Sequence, residues 1–385
     1  MKPTTVLPDD PALPGLAAIR AHGLARAIPA LGLEGSPVEV LLRAYKPGER
    51  ATLEVRALGR HLAIKAYADD PAPEVELYHA FADAGLASEA GARVPPLVAW
   101  DRELRVLVIG WLEGRPLNQL VKEGQGERTG ELAASWIRRV ASLSLKLGPR
   151  CGVGYALYHA GRAVTGLAAV DPALGSAAKA LAGKLARAQP EDHDPRLVHG
   201  TLYDRHLLDL GDGPGVIDWQ RAGQGPLEFD AGMFLATLWR SGSHGPDGAA
   251  EAARAERVFL ARTAGLLDEA ALAWHRAAAL LRLAGKANLM SRRKPDWRAR
   301  ASALLAEAER LAERVGQSGS GRRTESEAGA ALKGSPLELV LQALSSTLNG
   351  AALDFALRAL SPRPATPEEL VQMRKLLAEV RKRRP

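Results

Sequence analysis

The order of apolar runs restricts the fold more than any other feature of the chain. Three short runs dense in β-branched and apolar residues, VEVLLRAY from Val38, ATLEVRAL from Ala51 and HLAIKAY from His61, follow one another with only turn-length gaps. Lys46-Pro47-Gly48-Glu49-Arg50 separates the first pair and Gly59-Arg60 the second, so the three read as an antiparallel meander. Glu74 to Gly85 then carries Leu77, Tyr78, Phe81 and Ala84 on one helical face, with Gly85 as its stop. The runs LVAW from Leu97 and RVLVIGW from Arg105, joined through Asp101-Arg102-Glu103, make a second hairpin.

From about Leu117 the spacing turns helical and stays so to about Val315, apart from one interruption between Arg196 and Trp219 by the short strands LVHG, HLLDL and GVIDW. The expected divisions are a leader over 1–35 with a short helix, a sheet region over 36–115, a mainly helical region over 116–315, a linker over 316–333 and a helical appendage over 334–385. In the appendage, Thr366-Pro367-Glu368-Glu369 is a helix start, with the hydroxyl at the cap and Pro at the first helical position. Its amphipathic spacing suits packing on the body or on a second chain, so self-association through these helices is an expectation.

Composition narrows the function classes. One cysteine, Cys151, rules out an intrachain disulfide and a cysteine-rich zinc site. No uncharged run approaches a membrane span and the first residues lack an apolar signal core, so a cytoplasmic protein without membrane contact is expected. The net charge of +7 invites a nucleic-acid reading, but it comes with an arginine-rich, alanine-rich bias along the whole chain, so nucleic acid is not the expected partner. Only 12 of the 51 basic residues are lysine, and a lysine inside an apolar strand therefore needs a reason. Lys65, in LAIKAY, is such a residue.

The segment from His199 to Leu238, HGTLYDRHLLDLGDGPGVIDWQRAGQGPLEFDAGMFLATL, supplies that reason. His199-Gly200-Thr201, His206, Asp218-Trp219 and the run from Gly225 to Ala236 stand in the order of the catalytic core of the aminoglycoside phosphotransferase family, which this segment resembles. The resemblance implies an α+β, two-lobed protein-kinase-like fold: an antiparallel sheet with one helix in the N-lobe, a mainly helical C-lobe, and here extra C-terminal helices. It also implies ATP and Mg2+ as cofactors and a small hydroxylated acceptor that takes the γ-phosphate.

Site residues follow from the same resemblance. Lys65 is the strand lysine for the nucleotide phosphates, with Glu74 as its helix partner and Glu76 as the alternative. Trp111 and Glu113, in Trp111-Leu112-Glu113-Gly114, stand where the family places the hinge against the base. Asp218 is the metal ligand, and His206 is the second candidate ligand where the family has Asn or Gln. His199 and Asp230 support the loop. One departure bears on activity: Thr201 occupies the position of the family's catalytic Asp, and a hydroxyl cannot act as a base near neutral pH. Asp204 is the nearest carboxylate that could substitute, so Thr201 and Asp204 are the candidates beside the acceptor hydroxyl. A nucleotide-binding pseudokinase with a regulatory or scaffold role is the alternative to an active phosphotransferase.

Overall fold

The computed structural model describes residues 4–192, 195–243, 245–289 and 295–319. In chain order the first elements are α1 (Pro14–His22), α2 (Leu24–Ala27), a 3-10 turn (Pro29–Leu31), β1 (Glu39–Lys46), β2 (Arg50–Ala57), β3 (Arg60–Tyr67), α3 (Ala72–Asp83), β4 (Leu97–Asp101) and β5 (Val106–Gly110). The five strands form one antiparallel sheet in the order β1-β2-β3-β5-β4. The meander, helix and second hairpin read from the sequence are these elements.

Strand alternation gives the sheet two different faces. Leu53 pairs with Ile64, Val55 with Leu62 and Ala51 with Ala66, and Val106 and Val108 continue the row; all are buried. Leu13, Leu16, Ile19, Leu24, Ile28 and Leu31 cover this row. Leu13 to Leu33, within the segment expected as a leader, thus supply a layer of the core. Gly15 shows how close that layer comes: a Cβ there would lie 2.1 Å from Val106 Cγ1 and 2.7 Å from the Leu104 carbonyl oxygen. The leader expectation failed because Gly23, at φ 77°, splits the apolar spacing into two short helices, neither long enough to announce itself. The opposite face carries Thr52 and Glu54 on β2 and His61, Ala63 and Lys65 on β3, in register with Leu107 and Ile109 on β5.

The next elements are β6 (Arg115–Pro116), α4 (Leu117–Lys122), α5 (Gly126–Ala141), α6 (Val153–Ala168), α7 (Pro172–Arg187), β7 (Arg196–Val198), β8 (Leu207–Asp209), β9 (Pro214–Val216) and β10 (Gly223–Gly225). They are followed by α8 (Leu227–Gly242), α9 (Pro246–Arg262), α10 (Glu269–Leu289) and α11 (Trp297–Gly319). β6, β8 and β9 form a small sheet and β7 pairs with β10, so the strand interruption is two separate ladders. The chain divides into two compact units. The first holds the residues up to Pro149, Pro195–Asp230 and Thr237–Leu266; the second holds Arg150 to 192, Ala231–Ala236 and the residues from Leu267 on.

The second unit is a helical assembly. Trp274 of α10 is fully buried and donates its indole N–H to the Leu185 carbonyl at the end of α7, 2.9 Å away. A Cβ on Gly285 would lie 2.6 Å from that of Ala163, so α6 and α10 meet at a glycine. Helix α11 continues to Gly319, past residue 316 where the linker is expected to begin. The remainder of that linker and the appendage over 334–385 lie outside the described residues. No helix among the described residues is long and apolar enough to cross a membrane.

Candidate active site

The site lies wholly in the first unit and begins with Lys65. Strand β3 points Lys65 to the face opposite the core row, where its side chain is nearly buried and its ammonium donates to Glu74 Oε1 at 2.6 Å. Glu74 sits in the first turn of α3, one turn before Tyr78, and Glu76 is exposed. The second oxygen of Glu74 accepts from the Tyr67 hydroxyl at 2.7 Å, and that hydroxyl accepts from Gln220 Nε2 at 3.2 Å. Burial pulls the Lys65 ammonium down, but Glu74 beside it, with Tyr67, Tyr78 and Asp218, holds it well above the ordinary lysine range. Lys65 and Asp218, 153 positions apart in sequence, therefore share one electrostatic environment.

Asp218 is placed by strain as well as by sequence. Strand β9 ends at Val216, two residues earlier than GVID suggests, and Asp218 takes a left-handed φ of 71°. For a residue with a Cβ that conformation is costly and needs support from its surroundings. The support is visible on both sides: the Ile217 N–H donates to the His206 carbonyl at 3.0 Å, and Trp219 packs against Phe81, His199 and Trp136 with ring centres 4.5 to 5.7 Å apart. Burial pushes the Asp218 carboxyl up, and Lys65, His206, His199 and Arg50 together hold it below the ordinary range.

His206 faces Asp218. Its Nδ1 lies 2.9 Å from the Thr201 carbonyl oxygen, which can only accept, so Nδ1 carries the proton. Its Nε2 lies 3.4 Å from Asp218 Oδ2. Burial and the neighbouring His199 push the His206 pKa down to about 3, which makes the ring neutral and Nε2 a lone pair directed at a carboxylate. Two acceptors facing each other suit a shared cation. The donor set, one carboxylate oxygen and one imidazole nitrogen, would supply two ligands to a divalent ion and leave its other positions to oxygens from outside the chain. Among the described residues there is no group of three His, Cys, Asp or Glu side chains, so a closed protein cage is not present.

The turn from His199 to Thr201 is held from inside. Gly200 takes φ 77°, and a Cβ there would lie 2.0 Å from the Arg221 carbonyl oxygen, so glycine is required by both conformation and space. Buried Asp230 accepts from the His199 N–H and, at 3.1 Å, from the Gly200 N–H. Burial pushes the Asp230 carboxyl up to about 7 against those N–H groups and that of Leu202. His199 Nε2 donates to the Ile217 carbonyl at 2.8 Å, which leaves Nδ1 to accept from the Thr201 hydroxyl at 3.4 Å.

Asp204 is not brought into this group. It is 1% exposed, its carboxylate accepts from the Ser241 hydroxyl, and its N–H donates to Thr237 Oγ1 at 3.0 Å. Burial raises it against Ser241, Arg240 and Arg205. Trp111 and Glu113 are joined to His61 instead: the indole stacks on the imidazole at 4.5 Å with planes 12° apart, and Glu113 Oε1 bonds to His61 Nδ1. His61 Nε2 lies 2.9 Å from Glu54, which is also paired with Arg43 and Arg56.

Several of these partners were not foreseen. Tyr67 follows Lys65 by two and so shares its strand face, a signal the alternation contains. Gln220 gave none, and Tyr78 was legible only as part of the apolar face of α3. Tyr78 is fully buried with no hydrogen-bond partner for its hydroxyl, and burial, opposed by Lys65, raises that hydroxyl far above the ordinary tyrosine range. Asp10, from the N-terminal segment, accepts from the Gly48 N–H at 2.8 Å and the Tyr45 hydroxyl at 2.9 Å, and so pins the β1–β2 turn.

No curated protein sequence matches the chain. Among solved structures, a choline/ethanolamine kinase family protein from Mesorhizobium loti is 18% identical with a TM-score of 0.52, covering 77% of this chain and 94% of its own. A thermostable mutant of aminoglycoside phosphotransferase APH(4)-Ia, in ternary complex with ADP and hygromycin B, is 14% identical with a TM-score of 0.52, covering 77% of this chain and 98% of its own. Choline kinase LicA from Streptococcus pneumoniae is 12% identical with a TM-score of 0.52, covering 74% of this chain and 97% of its own. At these identities the likeness is one of fold. The phosphotransferase enzyme family matches residues 50–266, more than half of the chain and the whole of the site from Lys65 to Asp230, and the chain belongs to that family.

Proposed function

We propose that the protein transfers the γ-phosphate of ATP to a hydroxyl of a small acceptor. The observation that carries this reading is the convergence of Lys65, ordered by Glu74 at 2.6 Å, with Asp218 and His206, a positive group and a cation-ready pair in one electrostatic environment. Lys65 holds phosphate oxygens, and Glu74 and Tyr67 keep its ammonium oriented. Asp218 and His206 hold a magnesium ion, which supplies neutralisation of the phosphate charge when bound. Trp111 and Glu113, held by His61, would border the base. The solved relative bound to ADP and hygromycin B is consistent with a nucleotide and a hydroxylated acceptor in this fold.

The bond changes are the formation of an acceptor O–P bond and the breaking of the β–γ bridge, with ADP leaving. The Thr201 hydroxyl, at the base position, donates a hydrogen bond to His199 Nδ1 and does not act as a base. Phosphoryl transfer tolerates this, because its transition state is loose and the acceptor proton departs late, to a transferred phosphoryl oxygen. The chain therefore relies on positioning and electrostatics, and a slow enzyme is expected. The missing base forfeits about 10²–10⁴-fold in rate.

The test is thermal stabilisation by ATP with magnesium, followed by ADP release with candidate alcohols, each against a Lys65→Ala control. Stabilisation and release that both vanish in the control support the reading. Absence of any nucleotide response refutes it, and stabilisation with no release above the control identifies a nucleotide-binding pseudokinase.

A further inference from the structure

A second set of charges stands in the same loop, and phosphate transfer leaves it unused. The Tyr203 ring lies against the His206 imidazole with centres 5.0 Å apart, and the Tyr203 N–H donates to the Thr201 carbonyl at 2.7 Å. Arg205 places its guanidinium carbon 4.5 Å from the centre of the Tyr203 ring, and Arg240, from α8, places its own 6.0 Å from the same centre. Arg205 is exposed and Arg240 half-buried. Neither guanidinium has a hydrogen bond or a close ion pair among the described residues, although both are rich in donors. Asp204, a carboxylate that acts on both, is buried and accepts from the Ser241 hydroxyl.

Arg205 and Arg240 repel each other and burial of Arg240 adds to that cost, while Asp204 and cation–π attraction to the ring act against it. An anion between them removes the repulsion. Guanidinium forks match the planar oxygens of carboxylate and phosphate in a way no amine-bearing ligand can use. The position matters as much as the charge, because Tyr203 and Arg205 lie between Thr201, beside the expected acceptor hydroxyl, and His206.

We propose that Arg205 and Arg240 bind an anionic group, phosphate or carboxylate, on the acceptor, so that the substrate is an acidic alcohol and not an amine-bearing one. The identification of that molecule as an acceptor rests on the phosphotransferase reading; the anion site does not.

Titration calorimetry of the full chain with glycerol 3-phosphate, glycerate, glycerol and choline tests this. One of the two anions is expected to bind wild type, and to bind Arg205→Gln at least about 10-fold more weakly, the loss expected for one charged hydrogen-bonded contact. Whichever of glycerol 3-phosphate and glycerate binds more tightly names the anionic group. Glycerol and choline are expected not to bind. Binding of choline alone, no binding by either anion, or an anion affinity unchanged in Arg205→Gln would each overturn the site. Arg240→Lys is a second variant, but Arg205, being exposed, carries the test without risk to folding. ATP stabilisation is measured alongside. Its absence with anion binding intact refutes the phosphotransferase reading alone, and its presence without anion binding refutes this site alone.

Discussion

Gln220 and Tyr67, 153 residues apart in sequence, are joined by a hydrogen bond from Gln220 Nε2 to the phenolic oxygen at 3.2 Å. The same hydroxyl donates to Glu74, and Glu74 takes Lys65. The segment that carries Asp218 is thereby tied to the strand that carries Lys65. Tyr67→Phe should lower stability by about 1 kcal/mol, the net worth of a typical hydrogen bond, and lower kcat for ATP turnover more than it changes KM. Adding Gln220→Ala to Tyr67→Phe should change little further, because the bond is already gone. Denaturant unfolding and steady-state kinetics on the two single variants and the double variant check this; effects that simply add within about 0.5 kcal/mol would show that no relay exists.

The Lys65–Glu74 pair is buried on both sides, with side chains 8% and 10% exposed, and so behaves unlike a surface ion pair. Lys65→Met leaves the Glu74 charge without its partner and should cost about 3–5 kcal/mol, whereas Lys65→Met with Glu74→Leu should recover much of that. The pH dependence follows from the raised Lys65 value. The folded state keeps its proton above 10.5, where the unfolded lysine releases it, so the stability from the pair is whole below that pH and is lost as pH rises toward the folded value. Melting temperatures from pH 8 to 11.5 should fall more steeply for wild type than for the double variant; parallel curves would refute the coupling.

Asp230 gives a prediction in the opposite part of the scale. Its folded value of about 7 lies above the ordinary 3.8, so between these two the native state holds a proton that the unfolded state has released. Stability from this group is present below about pH 4 and declines as pH rises to about 7. Asp230→Asn removes that slope. It also turns an amide N–H toward the backbone donors of His199 or Gly200, at a cost of about 1–3 kcal/mol for an unsatisfied buried group. Unfolding free energies of both proteins from pH 4 to 8 measure it, and a slope that persists in the variant sinks the assignment.

The sheet was legible because its strands are short, alternating and separated by glycine turns, and Lys65 because lysine is scarce and apolar neighbours flank it. Glu74 was legible from helical spacing with Leu77, Tyr78 and Phe81. The N-terminal layer was not, since Gly23 divides it and its burial depends on the sheet it covers. Asp204 shows the limit of reasoning from proximity: three residues from Thr201, it is turned inward by Ser241 and Thr237, which come from a helix more than 30 positions later. Tertiary partners of that kind leave no local pattern, and Gln220, Arg240 and Asp10 were missed for the same reason.

Thr201 is where rate and sequence meet. Its hydroxyl donates to His199 Nδ1, whose other nitrogen is fixed as a donor to the Ile217 carbonyl, so no group at this point can accept the acceptor's proton. Thr201→Asp supplies one. Because Thr201 is only 7% exposed and His199 Nδ1 presents a lone pair to it, the new carboxylate is repelled from the imidazole and turns toward the open side of the loop. Turnover should rise by about 10²–10⁴-fold, the usual value of general-base assistance, with little change in KM for ATP. Thr201→Asn is the necessary comparison: it has nearly the same shape, hydrogen-bonds as well, and accepts no proton at neutral pH. If Asn accelerates transfer as much as Asp, the gain comes from positioning, and the native threonine is no handicap to proton removal.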